Sequence, residues 1–117
     1  MNHQQYKHIR SSDRPQLQTV LNELEQLGLE AKLEGSARES CEYGDIDLLI
    51  ESANPSDASR LYLAVQRLES DHGAIVQGTQ REQSISYVGG VIHDRYRLNL
   101  KQAAFDLCYR PMRAARI

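Results

Sequence analysis

Asp45 and Asp47 stand two residues apart at the head of an apolar run, Asp45-Ile46-Asp47-Leu48-Leu49-Ile50. If that run is a strand, both carboxylates point to one face, and Ile46 and Leu48 point to the other. Two carboxylates held this way can grip a divalent cation from one side, and hard oxygen ligands suit Mg²⁺ or Mn²⁺. Upstream, Gly35-Ser36 forms a turn that can offer backbone N–H groups and a hydroxyl to phosphate oxygens. Arg38 adds a planar fork able to clamp a phosphate. A metal grip beside a phosphate cradle is what metal-assisted phosphoryl or nucleotidyl transfer requires. Taken singly, a D-x-D at a strand start also fits a solvated turn pair, and Gly-Ser also fits a plain turn.

The stretch Leu33 to Ile50 resembles the signature of the polymerase-beta-like nucleotidyltransferase superfamily: a Gly-Ser step, an arginine, then Gly-Asp-x-Asp opening an apolar strand. Gly44-Asp45-Ile46-Asp47-Leu48-Leu49-Ile50 is most similar to the X-family DNA polymerases. Downstream, Tyr96-Arg97-Leu98-Asn99-Leu100-Lys101 is similar to the family's strand that carries a third carboxylate, and Phe105-Asp106-Leu107-Cys108-Tyr109 to the helix that follows it. The similarity runs from about His8 to Met112. It implies a palm domain in which Asp45 and Asp47 bind two Mg²⁺ or Mn²⁺ ions. Gly35, Ser36, Arg38 and Gly44 would bind a nucleoside triphosphate, and Tyr109 would lie near its sugar. A hydroxyl would attack the α-phosphate and release pyrophosphate.

The chain departs from that pattern in three places. Glu39 follows Arg38 where the polymerases carry a second arginine, and the span from Gly35 to Asp45 is one residue short. Asn99 stands at the third carboxylate's place. An amide is neutral and accepts no proton near neutral pH. Asn99 as the third catalytic residue therefore implies weak or absent transfer, in a domain either naturally degenerate or inactivated by design. Two rivals stand beside the polymerase-type reading: a binding module for a nucleotide or partner without turnover, and a small nucleotidyltransferase that modifies a protein or small molecule.

A length of 117 residues fits one domain. The family's DNA-gripping subdomains have no room in it, so a protein partner would supply them. The net charge of −2 argues against a strong general hold on nucleic acid, leaving a DNA or RNA end held weakly. Basic residues gather after Gly90, at Arg95, Arg97, Lys101, Arg110, Arg113 and Arg116, and read as a patch or a solvated tail. Cys41 and Cys108 lack metal-like spacing and read as free thiols, and the four histidines, His3, His8, His72 and His93, as solvated. No apolar stretch is long enough for a membrane span, and the first residues lack a signal-peptide core, so a cytoplasmic location without membrane contact is expected.

These groups need elements to position them. Residues 1–12 read as loose, 13–112 as the palm and 113–117 as a basic tail. A helix follows Ser12 or Asp13 as cap, with Leu17, Val20, Leu21, Leu24 and Leu27 at helical spacing, and ends at Gly28. Strands are expected over 31–34, 45–51, 74–80, 83–88 and 96–102. A helix carrying Leu61, Leu63, Val65 and Leu68 closes near Gly73, and a last helix covers 103–110. The order predicts an α+β fold, a mixed β-sheet with helices packed on one face, with the strand of Asn99 beside the strand of Asp47.

Overall fold

The computed structural model describes residues 4–80, 85–87, 90–92 and 94–112. The expected tail at 113–117, His3, His93, Gly89 and part of the strand expected at 83–88 lie outside the described residues. Helix α1 (Arg14–Gln26) buries Leu17, Val20, Leu21 and Leu24, one stripe at 3.6-residue spacing. Pro15 sits in its first turn, where no N–H is missed. Asp13 holds the cap position but makes no capping bond. Its carboxylate accepts the Tyr43 hydroxyl at 2.6 Å instead. Helix α2 (Ser56–His72) buries Leu61, Ala64, Val65 and Leu68. Leu63, expected in that stripe, is on the outer side and exposed, because two helical steps from Leu61 turn it away from the core.

Five strands form the main sheet in the order β1-β2-β7-β6-β3: β1 (Ala31–Glu34), β2 (Ile46–Ser52), β7 (Ala104–Pro111), β6 (Asp94–Asn99) and β3 (Ile75–Gln80). Strands β2 and β7 run parallel and the other neighbours antiparallel, so the sheet is mixed. A separate hairpin joins β4 (Ile85–Tyr87) and β5 (Gly90–Ile92).

Alternation sorts the sheet into two faces. Leu33, Ile46, Leu48, Ile50, Phe105, Leu107, Tyr109, Tyr96 and Leu98 all point into one core with the buried stripes of both helices. Each fully buried leucine there contributes roughly 1.5–3 kcal/mol. Among the described residues no helix lies over the opposite face. It carries Asp47, Leu49 and Glu51 of β2, then Asp106, Cys108 and Arg110 of β7, then Arg95, Arg97 and Asn99 of β6, matched by register.

Three expectations fail here. Residues 104–111 form strand β7, not a helix. Phe105, Leu107 and Tyr109 are buried on the core side, while Asp106, Cys108 and Arg110 face the other way, which is a strand period. The strand β6 also ends at Asn99, three residues before the expected end, where Leu100 N–H donates to the Ala103 carbonyl and turns the chain into β7. Gln16 of α1 pins that turn by accepting the N–H groups of Gln102 and Ala103 at 2.9 and 2.8 Å. The segment expected to be loose carries core side chains: Tyr6 and Ile9 are buried. Gln5 fastens it by accepting the Leu33 N–H at 2.8 Å.

Candidate functional site

The site is built on the helix-free face, where β2 and β7 lie side by side. Asp47 of β2 is in register with Asp106 of β7. Asp45 lies just ahead of β2, on the same face as Asp47. One carboxylate oxygen from each of Asp45, Asp47 and Asp106 falls within 4.8 Å of the others. Asp106 is buried, and Asp45 and Asp47 are half-buried. Such a set of hard oxygens at this spacing fits a divalent cation such as Mg²⁺ or Mn²⁺.

Gly35 closes one side. Its backbone has φ 72° and ψ −158°, a region open essentially to glycine alone. A Cβ built there would lie 2.3 Å from Asp47 Oδ2. The turn can therefore press its backbone against the Asp47 carboxylate only because residue 35 has no side chain. Ser36 follows, itself exposed, in the single turn Ser36–Arg38, whose Ala37 is buried. Arg38 is exposed and lines a neighbouring cavity of about 360 Å³ with Lys32, Leu49 and Glu51, away from the three carboxylates. Gly44 is exposed, and an added Cβ there meets nothing, so its place sets no steric demand.

The loop between turn and carboxylates is anchored through Tyr43. Arg10 donates its backbone N–H to the Tyr43 hydroxyl at 3.0 Å and a guanidinium N–H to the Tyr43 carbonyl at 3.0 Å. The same guanidinium lies 4.0 Å above the Tyr43 ring. This places the residue two before Asp45 against the N-terminal segment and the start of α1.

Asn99 does not stand beside Asp47. It pairs with Ala104 and Ile75 at the end of β6, and β7 lies between it and β2. Two strand spacings amount to about 10 Å. The residue next to Asp47 is Asp106, which sequence reasoning had assigned to a helix. The alternation of Phe105, Leu107 and Tyr109 carried the signal; the likeness of 105–109 to a family helix set it aside. Tyr109 points the other way, into the core, where its hydroxyl donates to the Ser52 and Asn54 carbonyls at 3.3 and 3.2 Å.

Of the basic residues after Gly90, Arg95, Arg97 and Arg110 pair with acids, and Arg113 and Arg116 lie outside the described residues. Arg95 donates through Nε to both oxygens of Asp106 at 2.9 Å, and through Nη2 to Oδ2. That pairing raises the Arg95 pKa further. Arg97 reaches Asp45 at 3.7 Å. Arg110 pairs with Glu51 at 2.6 Å. Asp47 sits between these pairs. Burial, then the charges of Asp45 and Asp106, push it up to about 6, against the pull of Arg95 and Arg97. Cys108, on the same face, is pushed up to about 12 by burial and then by Asp106, so its thiol stays protonated and is no nucleophile.

A cleft of about 410 Å³ opens over this face, lined by Glu34, Asp47, Leu49, Arg95, Asp106 and Arg110 among others. A cavity of equal volume lies by Tyr6, Leu21, Leu24 and Leu29, far from the carboxylate cluster. The first holds the convergent charged groups, and it is the better candidate. His72 lies elsewhere, its Nε2 3.1 Å from Glu23 between the helices. Both cysteines are free. No helix among the described residues is long and apolar enough to cross a membrane. Comparison with known proteins finds no matching family model and no matching curated protein.

Proposed function

We propose that this domain is a metal-dependent nucleotidyltransferase of the polymerase-beta-like kind, with Asp45, Asp47 and Asp106 as its carboxylates. The observation that carries the reading is Asp106 in register with Asp47 and within metal-sharing distance of Asp45. An amide at residue 99 cannot serve as a third carboxylate; taking Asp106 for that role instead favours an active transferase.

Asp45 and Asp47 would hold Mg²⁺ or Mn²⁺, with Asp106 as the third ligand. When bound, the cations would favour ionisation of the attacking hydroxyl and offset charge on the leaving pyrophosphate. Asp47 must give up its proton for that role, which it does above its raised pKa near 6. Asp106 is aimed by Arg95 and carries the negative charge nearest β6, the side from which an acceptor hydroxyl would approach. The Gly35-Ser36 turn, whose Gly35 lies against Asp47, would meet the donor phosphates. Donor and acceptor would thus lie on opposite sides of the carboxylate row. The donor is a nucleoside triphosphate. The acceptor is a hydroxyl on a nucleic-acid end, a protein or a small molecule.

The test is incubation with α-labelled nucleoside triphosphates, Mg²⁺ and a panel of hydroxyl acceptors. The wild-type chain is expected to transfer label. Asp47→Asn and Asp106→Asn are expected to lose at least about 100-fold. Magnesium-dependent triphosphate binding without transfer to any acceptor would favour a binding module instead.

A further inference from the structure

We propose that Arg95 is an internal counter-ion that changes partners: it neutralises Asp106 until a divalent cation takes that carboxylate, and then serves a phosphate of the substrate. The proposal rests on the metal-dependent reading above.

The Asp106 side chain is 4% exposed and the Arg95 side chain 32%. A carboxylate that deep in the protein is costly without a cation, and Arg95 supplies one from the neighbouring strand. Its fork occupies both oxygens of Asp106. One of those oxygens is also the ligand atom that Asp106 offers to the shared cluster. A cation seated there would stand close to the guanidinium, and the two repel. Arg95 and the divalent ion therefore compete for one carboxylate.

Charge counting gives two self-consistent states. Three carboxylates with Arg95 and Arg97 leave the metal-free site with a small negative charge. Two divalent ions added to the same groups make it strongly positive. A polyphosphate, with several negative charges, restores the balance. An arginine fork fits phosphate as it fits carboxylate, so Arg95 needs no new geometry for its second partner. It lines the same cleft as Asp47, with its outer side open. Arg97 is 58% exposed and holds Asp45 only at 3.7 Å, a looser contact that yields easily. Arg95 is the tighter of the two pairs and sets the threshold.

The test uses the whole chain and two readouts. The first is Mn²⁺ affinity, from free Mn²⁺ by electron paramagnetic resonance. The second is binding of inorganic tripolyphosphate at saturating Mg²⁺, by calorimetry. Variants are Arg95→Gln, Arg95→Lys and Asp106→Asn, each checked for folding by circular dichroism. Arg95→Lys keeps the buried charge satisfied if Arg95→Gln fails to fold. Each Arg95 variant that folds is expected to bind Mn²⁺ more tightly, at least about fivefold for Gln, and tripolyphosphate at least about fivefold more weakly. Mn²⁺ affinity unchanged or weakened in the Arg95 variants, with Asp106→Asn losing it, would overturn the exchange and leave the metal site standing. Tighter Mn²⁺ with unchanged tripolyphosphate binding would overturn the phosphate half. Absence of Mn²⁺ binding in wild type and all variants would remove both the exchange and the metal reading beneath it.

Discussion

Asp47 and Asp106, 59 residues apart in sequence, stand opposite each other on parallel neighbouring strands and face away from the core. Side by side on a half-buried surface, they repel unless a cation lies between them. Arg95 relieves Asp106, while Asp47 bears the strain of burial first, and then of the Asp45 and Asp106 charges, as a raised pKa.

That strain predicts a pH-dependent stability. Asp47 is raised to about 6 from an ordinary 3.8, so the folded chain holds its proton more tightly than the unfolded chain between those values. Stability from this group is present below about 4 and lost as pH rises through about 6. Asp47→Asn is expected to stabilise the metal-free protein at pH 7.5 by about 1–2 kcal/mol, after discounting for partial exposure, and to flatten the pH profile between 4 and 6. Urea unfolding of both forms at pH 4.5 and 7.5 checks this. A larger gain at pH 4.5 would reverse the sign and defeat the account.

Gly35→Ala is expected to act twice. Its backbone conformation costs an alanine about 1–3 kcal/mol. The new methyl also meets Asp47 Oδ2, with 2.3 Å available before anything moves, and displaces the carboxylate from the cluster. Lower urea midpoint together with weaker Mn²⁺ binding is the expected pair of results. Undiminished Mn²⁺ affinity would mean that the turn does not bear on cation binding through Asp47.

Tyr43→Phe removes the hydroxyl that joins Asp13 and the Arg10 backbone. The buried Asp13 carboxylate keeps Arg10 at 3.3 Å but loses its shortest bond. A loss of about 1–2 kcal/mol in chemical unfolding is expected. Equal midpoints would show that the anchor contributes nothing to stability.

Much of the site's left half was legible in the chain. Asp45 and Asp47 show their common face by spacing alone, and Gly35 marks the turn by its type. The right half was not. Parallel pairing of β2 with β7 joins segments distant in sequence, and no local pattern specifies a parallel partner. Phe105, Leu107 and Tyr109 alternate as a strand should, yet Ala103 and Ala104 before them favour helix and the similarity to a family helix agreed with that. Once 104–111 is a strand, it separates Asn99 from Asp47 and brings Asp106 into the gap. Arg95 and Arg97 read as part of a basic patch because charge composition does not reveal which acids lie across the sheet. Tyr6 and Ile9 were hidden by polar neighbours, since two apolar residues in a polar stretch make no periodic signal.

Asp106, and not residue 99, is proposed to complete the carboxylate set with Asp45 and Asp47. Mn²⁺ titration of Asp106→Asn and Asn99→Asp beside wild type decides between the two residues. Asp106→Asn is expected to lose at least about tenfold in affinity, as when one charged ligand becomes neutral, while Asn99→Asp stays within about twofold of wild type. Unchanged binding in Asp106→Asn, with a clear gain in Asn99→Asp, would contradict it.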